Sequence, residues 1–313
     1  MAKHSIYYVF TLPPVSGGHF VALEHIAALN AMGFDAKAYY VGPPDGFAKF
    51  TVPAVRAGAP LNPGDVIVVG EDHKALLKEL KTLQCVKVLH HQAFFYTFAG
   101  FDGIADLTGY PFARVMVPSS FSAQRLKALG VTQPISRVRP AVPDYFQPGT
   151  KQLRIAFAPH KRMIEATFLR GYFGAKVPEY AHVPWVPLIS MSRADCARAM
   201  SDCAVYAALP LLESLGLMSL EAMASGCHVV GYTGQGGSEY ATPDNGDWIA
   251  EGDHDAFVGK LRDALTLFES GAANPKAAAG HASAQQFNTD VFEKELREAW
   301  DLILGGNADR YRH

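Results

Sequence analysis

Short apolar strands alternate with amphipathic helices along this chain, and the alternation limits the fold more than any other feature. In the first half, the pattern predicts strands at residues 5–12, 34–41, 65–69, 86–90 and 114–117. Helices are predicted between them, at residues 19–32, 76–83 and 119–129. Two parallel strands need a long crossover connection, which is usually a helix. The first half therefore predicts a doubly wound α/β domain with helices on both faces of a parallel sheet.

A second series of the same kind follows residues 139–149, which contain three prolines and predict a linker. Strands are predicted at 154–158, 183–186, 204–208, 229–232 and 248–250, and helices begin near residues 161, 193, 214 and 255. Residues 271–284 predict a loop with a weak helix, and residues 290–304 predict a strong final helix. The sequence thus predicts two domains, 1–146 and 147–287, followed by a helical segment, 288–313.

Composition excludes several classes of protein. The chain has 313 residues, of which 49% are hydrophobic and 19% charged, as in globular proteins of two domains. A net charge of −2 gives no electrostatic reason to expect nucleic acid as a partner. We find neither the apolar core of a signal peptide nor a run of about 18 apolar residues that would span a membrane. The four cysteines lack Cys-x-x-Cys spacing and are expected to be reduced thiols in the cytoplasm.

Two glutamates, Glu213 and Glu221, are the strongest functional signal in the chain. Residues 214–225 are mostly helix formers, and residues 227–232 predict a buried strand. Eight residues of helix would place the two carboxylates about 12 Å apart along one side. Such a pair can hold two parts of one extended polar ligand, for example two sugar rings joined by a diphosphate. Two isolated glutamates are equally compatible with a helix-start acid and a solvated helix residue.

The run Glu-Ser-Leu-Gly-Leu-Met-Ser-Leu-Glu-Ala-Met-Ala-Ser-Gly, from Glu213 to Gly226, resembles the donor-binding motif of the retaining family 4 glycosyltransferases. The resemblance implies the GT-B fold, in which two Rossmann-like doubly wound domains face each other across a cleft. It implies that the first domain binds the acceptor, the second binds the nucleotide sugar, and the helix within 288–313 crosses back onto the first. It also implies that Glu213 orients donor-sugar hydroxyls and that Glu221 accepts hydrogen bonds from the ribose, with Gly216 and Leu217 beside the donor.

Two glycine pairs match the same family. Gly17 and Gly18 lie between the first strand and its helix, where glycines let the backbone approach a ligand and the helix N-terminus offers N–H groups to a phosphate. The resemblance implies that they close over the donor diphosphate. Gly236 and Gly237 match a family loop near the donor. Plain turns explain either pair nearly as well.

Lys161 and Arg162 follow strand 154–158 and are candidates for binding the diphosphate. The family places an arginine and a lysine about four or five residues apart near this strand end, whereas here the two cations are adjacent. Two solvated cations at a helix start are the alternative.

His91 follows strand 86–90, in a His-His-Gln sequence that leads into the aromatic segment 94–98. In related enzymes this strand end faces the reacting sugar, so His91 is a catalytic candidate. A histidine that only satisfies neighbouring backbone is the alternative. Ser119, which follows the next strand, is predicted to cap a helix.

Asp253-His254-Asp255 has the Asp-x-Asp spacing of a known metal motif, but its position before an apolar helix predicts a cap. Glu71-Asp72-His73 is predicted to play the same part before the helix that follows it. We find no cluster with metal-ligand spacing and no Gly-x-Ser-x-Gly motif. Neither a metal nor a cofactor is therefore expected, and lysine, arginine and helix N-termini would stabilise the departing diphosphate.

These features predict a glycosyltransferase that moves a sugar from a nucleoside-diphosphate sugar to a glycan, lipid-linked or small-molecule acceptor with retention of configuration. The catalytic candidates are Glu213, His91 and Lys161. Because the sequence places no carboxylate as a nucleophile, a front-face substitution is favoured. A sugar-nucleotide epimerase or hydrolase and a noncatalytic nucleotide-sugar-binding subunit are the alternatives. Peripheral membrane association and the oligomeric state are left open.

Overall fold

The structure is a computed structural model that describes residues 3–14 and 16–313, apart from the side chain of Asp45. Val15, within the predicted turn before the first helix, and residues 1 and 2 of the predicted first domain lie outside the described residues. The chain divides into two compact units. Unit 1 comprises Met1–Pro140 and Phe292–His313, and unit 2 comprises Ala141–Val291.

Unit 1 is built on a seven-stranded parallel sheet. Its strands are β1 (Ile6–Phe10), β2 (Ala36–Tyr40), β3 (Ala54–Arg56), β4 (Val66–Gly70), β5 (Val86–His90), β6 (Arg114–Val117) and β7 (Ile135–Arg137). Their order across the sheet is β3-β2-β1-β4-β5-β6-β7. The helices of this part are α1 (Gly17–Ala31), α2 (Lys74–Leu80), α3 (Thr97–Gly100), α4 (Ile104–Thr108) and α5 (Ser120–Ala128).

Unit 2 is built on a five-stranded parallel sheet with the order β12-β11-β10-β8-β9. These strands are β8 (Gln152–Phe157), β9 (Trp185–Pro187), β10 (Cys203–Ala208), β11 (His228–Gly231) and β12 (Asp247–Trp248). The helices are α6 (Met163–Lys176), α7 (Arg193–Asp202), α8 (Leu217–Ala224), α9 (His254–Glu269) and α10 (Pro275–Ala284). Every residue of β10 is buried, as expected for the central strand of a sheet that is covered on both faces.

The last long helix, α11 (Thr289–Leu304), buries one face made of Phe292, Leu296, Ala299, Trp300 and Leu304. The chain belongs to unit 1 from Phe292 onward, and there Trp300 lies 6.5 Å from Tyr8 of β1, centroid to centroid. Short 3-10 helices lie at Pro44–Lys49, Phe94–Tyr96, Pro178–Tyr180, Gly236–Glu239, Gln285–Phe287 and Gly305–Tyr311.

Both units therefore have the predicted architecture of a doubly wound parallel sheet, while several boundaries differ from the expected ones. The segment 141–146 belongs to unit 2, because Val142 and Phe146 are buried in its core. Strands β3 and β7 were not predicted, since each has three residues on a sheet edge without a buried apolar run. Helix α10 is regular where a loop with a weak helix was expected, and Asn274 caps it.

Within the described part of the chain, no helix is both long and apolar enough to cross a lipid bilayer. The free cysteines are Cys85, Cys196, Cys203 and Cys227, of which the last three are buried.

Candidate active site

The strand order of unit 2 changes direction between β8 and β10, and this change creates the best location for a ligand in the unit. The connections that leave the two neighbouring strands turn away from each other, which opens a crevice at their carboxyl ends. The segment after β8 carries Lys161 and Arg162, and the segment after β10 carries Glu213. Three of the predicted site residues thus lie at the topological switch point.

Lys161 and Glu213 meet at this switch point. The Lys161 Nζ lies 2.8 Å from Glu213 Oε1 and 3.3 Å from the carbonyl oxygen of Leu211. The two side chains are 43% and 31% exposed, so this ion pair adds little to stability. Both groups can therefore exchange this contact for a ligand's phosphate and hydroxyl groups at low cost.

The backbone around Glu213 is held by a second loop. The N–H of Glu213 donates to Gly234, and the N–H of Gly236 donates to the carbonyl of Glu213. A Cβ at Gly236 would lie 2.3 to 2.5 Å from backbone atoms of residues 213–215, so only glycine allows the two loops to pack this closely. Gly237 lies in the same turn, where its Cβ would be 3.3 Å from Thr233. Packing thus explains Gly236, and a ligand contact by either glycine remains a prediction.

Glu213 is not on the helix that carries Glu221. Gly216 has a left-handed backbone, with φ of 84°, and α8 begins only at Leu217. Glu213 instead forms an isolated parallel bridge with Gln235. The continuous helix from which the spacing of about 12 Å was calculated is therefore wrong, because eight residues of helix do not separate the two carboxylates.

Glu221 is buried about one turn into α8 and forms an ion pair with Arg193. The Arg193 Nε and Nη2 lie 2.9 and 2.7 Å from Glu221 Oε1. Arg193 is the first residue of α7, whose N-terminus is capped by Ser192, and its Nη2 also contacts the carbonyl of Ala141 at 3.4 Å. A buried carboxylate needs such a partner to remain ionised. The sequence marked Arg193 only as a helix start, so this functional candidate was missed.

Arg162 points to different partners from Lys161. Its Nε donates to the carbonyl of Pro210, and its guanidinium pairs with Glu165 and Glu251 and lies 4.9 Å from the ring centre of Tyr232. Burial acts to lower the pKa of Arg162, but the hydrogen bond to Glu165 and the charge of Glu251 outweigh it and raise the pKa. These contacts favour a structural role for Arg162, whereas Lys161 pairs with Glu213.

In unit 1, the strand order changes direction between β1 and β4, and the segments after these strands carry Gly18 and Glu71. Gly17 and Gly18 are the first residues of α1, which Ser16 caps. The carbonyl of Gly18 accepts a hydrogen bond of 3.0 Å from Gln92 Nε2. The glycine pair thus lies at the helix start where the sequence placed it, and its contact with a diphosphate remains a prediction.

His91 is fully buried, directly after β5. Its Nε2 lies 2.8 Å from Thr97 Oγ1, and the Thr97 hydroxyl donates to the carbonyl of Phe94. His91 Nε2 therefore donates to Thr97. Burial lowers the pKa of His91 to about 4, so the imidazole is neutral near pH 7. A buried, neutral ring favours a structural role for His91 over direct contact with a sugar, although its partner is the Thr97 hydroxyl and not the backbone that the alternative named.

Glu71 has a different role from the helix cap that the sequence predicted. It does not cap a helix: α2 begins at Lys74, and Glu71 Oε2 and Oε1 instead accept from the backbone N–H groups of Gln92 and Ala93, at 3.0 and 2.7 Å. Burial raises the pKa of Glu71 to about 7, although the N–H groups act in the opposite direction. A buried carboxylate thus fixes the backbone that follows His91.

This raised pKa makes the stability of unit 1 depend on pH. Between the unfolded value of 4.5 and the folded value of about 7, the folded protein binds more protons at Glu71 than the unfolded chain does. The free energy of unfolding that this group contributes therefore falls as the pH rises through that range, by roughly 3 kcal/mol in total. Urea denaturation of the native protein and of Glu71→Gln should show their stability difference shrinking by this amount between pH 4.5 and 7.5. A constant difference would contradict the shift.

Ser119 and the Asp253-His254-Asp255 segment were predicted to cap helices, and the structure shows both caps. Ser119 accepts from the N–H of Ser122 at the start of α5, and Asp253 accepts from the N–H of Ala256 at the start of α9. Asp255 accepts a hydrogen bond from the Tyr172 hydroxyl at 2.6 Å. Among residues 3–14 and 16–313, no group of three or more His, Cys, Asp or Glu side chains is arranged to hold a metal ion.

Two parallel-sheet domains of this kind are the building blocks of the GT-B fold, and solved structures agree. The pneumococcal O-GlcNAc transferase GtfA, in complex with UDP and GlcNAc, gives a TM-score of 0.73 at 9% identity and covers 97% of this chain and 100% of that one. Anabaena Alr3699/HepE, in complex with UDP and glucose, gives 0.68 at 13% identity, with 95% and 99% covered. At these identities the likeness shows the fold.

Sequence comparison identifies the family. Residues 182–278 match the family Glycosyl transferases group 1, and this range includes Glu213, Glu221 and Gly236. An α-1,6-glucosyltransferase of Actinobacillus pleuropneumoniae serotype 7 (strain AP76) is 32% identical over 322 residues, which cover 98% of this chain and 98% of that protein. The chain therefore belongs to the GT-B glycosyltransferases.

Proposed function

We propose that the protein transfers glucose from a nucleoside-diphosphate glucose to a hydroxyl group of a sugar acceptor and forms an α-1,6 bond with retention of configuration. The observation that carries the proposal is the exposed Lys161–Glu213 pair at the switch point of unit 2, which precedes the helix α8 that carries the buried Glu221. The related α-1,6-glucosyltransferase, which matches over nearly its whole length, supports the choice of sugar and linkage.

Retention follows from the chemistry of such a donor. The common nucleoside-diphosphate glucoses carry the phosphate on the α face of C1, so an α-linked product keeps the configuration. During transfer, the bond from C1 to the phosphate oxygen breaks while the acceptor oxygen bonds to C1 from the same face. The acceptor proton passes to the departing phosphate oxygen. We propose this front-face step because the positive charge on the sugar ring can be stabilised by Glu213.

Each residue of the site has a part in this proposal. Glu213 orients the hydroxyls of the donor sugar, and Lys161 moves from Glu213 to the diphosphate as negative charge develops there. Among the described residues no side chain caps the N-terminus of α8, where Gly216 and Leu217 can offer backbone N–H groups to the phosphates. Glu221, held by Arg193, accepts hydrogen bonds from the ribose.

The test is incubation of the protein with UDP-, GDP- and dTDP-glucose, with and without isomaltose. Proton NMR of the product should show a new α-1,6-linked glucose that depends on the acceptor. A β-linked product would contradict retention. Conversion of the donor without acceptor would favour the epimerase or hydrolase alternative, and binding without turnover would favour the noncatalytic subunit.

The same assay tests the expectation that no metal takes part. Because Asp253 caps α9 and Asp255 binds Tyr172, we expect transfer to continue in excess EDTA with at most a small change in rate. Loss of activity on chelation that Mn²⁺ or Mg²⁺ restores would show that a metal stabilises the leaving diphosphate.

A further inference from the structure

Aromatic side chains gather at the carboxyl-end edge of the unit 1 sheet, beyond the residues that the proposed function uses. Phe94, Phe95 and Tyr96 form a 3-10 turn shortly after β5, and Phe121 lies in the first turn of α5, after the neighbouring strand β6. The ring centroids of Phe94, Phe95 and Phe121 lie 5.6 to 6.3 Å apart. We call these four residues the aromatic platform.

The aromatic platform remains open to solvent. Tyr96 is 51% exposed, and the other three rings are half-buried. The Arg125 guanidinium lies 5.2 Å from the ring centre of Phe121, so that ring is partly covered. Phe95 and Tyr96 are therefore the two rings best placed to contact a ligand. Large aromatic side chains that stay partly exposed at the ligand-binding edge of a parallel sheet are typical of a binding surface.

The backbone beneath the aromatic platform is unusually well fixed for an exposed loop. The buried Glu71 holds the two N–H groups that precede it, those of Gln92 and Ala93. On the other side, the Thr97 hydroxyl donates to the carbonyl of Phe94 at 2.6 Å. Burying a carboxylate is unfavourable in itself, as the raised pKa of Glu71 shows. This arrangement pre-organises the rings, which lowers the entropy lost when a ligand binds.

We propose that the aromatic platform binds a pyranose ring of the acceptor, mainly by stacking on Phe95 and Tyr96. One face of a glucose ring presents C–H groups and its rim presents hydroxyls, so it is complementary to an aromatic surface with a polar border. The hydroxyl of the exposed Tyr96 supplies a polar group beside these rings. The family match and the donor-binding candidates around Glu213 lie in unit 2. In unit 1 the diphosphate candidates Gly17 and Gly18 follow β1, so the segment after β5 is available for the acceptor sugar. The inference rests on the proposed transfer to a sugar acceptor.

The test measures binding and turnover separately in the full-length protein. Isomaltotriose affinity is measured by calorimetry or saturation-transfer NMR, and KM is measured for isomaltotriose and for the donor. In Phe95→Ala and Tyr96→Ala, we expect the dissociation constant and the KM for isomaltotriose each to rise about threefold to tenfold, with a larger rise in the double variant. UDP affinity and the donor KM should stay unchanged. Phe95→Trp should bind isomaltotriose at least as well as the native protein does.

The matched control is Phe168→Ala in α6, which removes an aromatic ring that is 49% exposed in unit 2 and should change none of these values. If the native protein transfers glucose and the double variant does so with an unchanged acceptor KM, the aromatic platform is refuted while the proposed function stands. If the native protein transfers nothing but binds isomaltotriose, and the variants lose that binding, the platform stands and the proposed function fails. Loss of UDP affinity in the variants would refute the platform as a sugar site, because it would identify a base-stacking surface.

Discussion

Glu213→Gln is expected to lower the rate of glucose transfer by about a hundredfold or more, with little change in the affinity for free UDP. The substitution keeps the size of the side chain and removes the negative charge. That charge can orient donor hydroxyls and complement the positive charge that develops on the sugar ring, and neither effect acts on a bare nucleotide. The native contact with Lys161 is exposed, so its loss should leave the fold intact.

Single-turnover rates and UDP calorimetry on the native protein, Glu213→Gln and a control variant would measure this effect. Glu269→Gln is a suitable control, because it removes an exposed carboxylate of the same unit at the far end of α9. If Glu213→Gln loses UDP affinity and keeps its turnover at saturation, the roles of Glu213 and Glu221 are exchanged. If it loses neither, the motif is structural and the noncatalytic alternative gains support.

The second large effect is expected at Glu221. In Glu221→Gln the affinity for a nucleoside diphosphate should fall roughly tenfold to a hundredfold, because a hydrogen bond between a carboxylate and a ribose contributes about 1.5–3 kcal/mol. Glutamine is a better choice than alanine here. Alanine would leave the Arg193 guanidinium without its buried partner, which costs about 3–5 kcal/mol in buried pairs and would confuse binding with stability.

Glu295→Gln provides a matched control for this prediction. Glu295 of α11 is also largely buried and accepts from an arginine, with Arg139 Nε and Nη2 at 2.9 and 2.8 Å. Its replacement removes the same kind of contact from unit 1 and should leave UDP affinity unchanged. Equal losses of affinity in both variants would mean that the Glu221 effect arises from general destabilisation. Unchanged affinity in Glu221→Gln would refute the assignment of Glu221 to the ribose.

The sequence predicted the central elements of both sheets well, for a physical reason. Strand β5 was predicted residue for residue, at Val86–His90, because Val86, Val88 and Leu89 favour a short, extended and buried segment. The start of α8 was misplaced by three residues, since Gly216 takes a left-handed conformation and the helix formers before it adopt an irregular path. Helix propensity depends on the residues within a segment, whereas the start of α8 also depends on the loop around Gly236, which packs on residues 213–215.

For the candidate site, the sequence identified the candidate residues but not the residues that hold them in place. The resemblance named Glu213, Glu221 and Lys161, but it gave no indication of which residues hold them. Arg193 and Glu221 are 28 residues apart in the chain, and Glu71 and Gln92 are 21 apart, so only the tertiary fold brings each pair together. No local pattern marks such partners, because an arginine at a helix start or a glutamate after a strand occurs for many reasons. Knowledge of the strand order, with its two switch points, was the missing information.

The close packing at Gly236 has a consequence for altering donor preference by directed evolution. Because the main chains of residues 213–215 and Gly236 are in direct contact, substitutions at Gly236 would displace Glu213 itself. Leu212 and Gln235 flank this contact, both are exposed, and both already adopt positive φ. A mutational library restricted to asparagine, aspartate and glycine at these two positions would respect their backbone. Such a library would vary the groups beside the proposed donor-sugar site while the backbone of Glu213 stays in place.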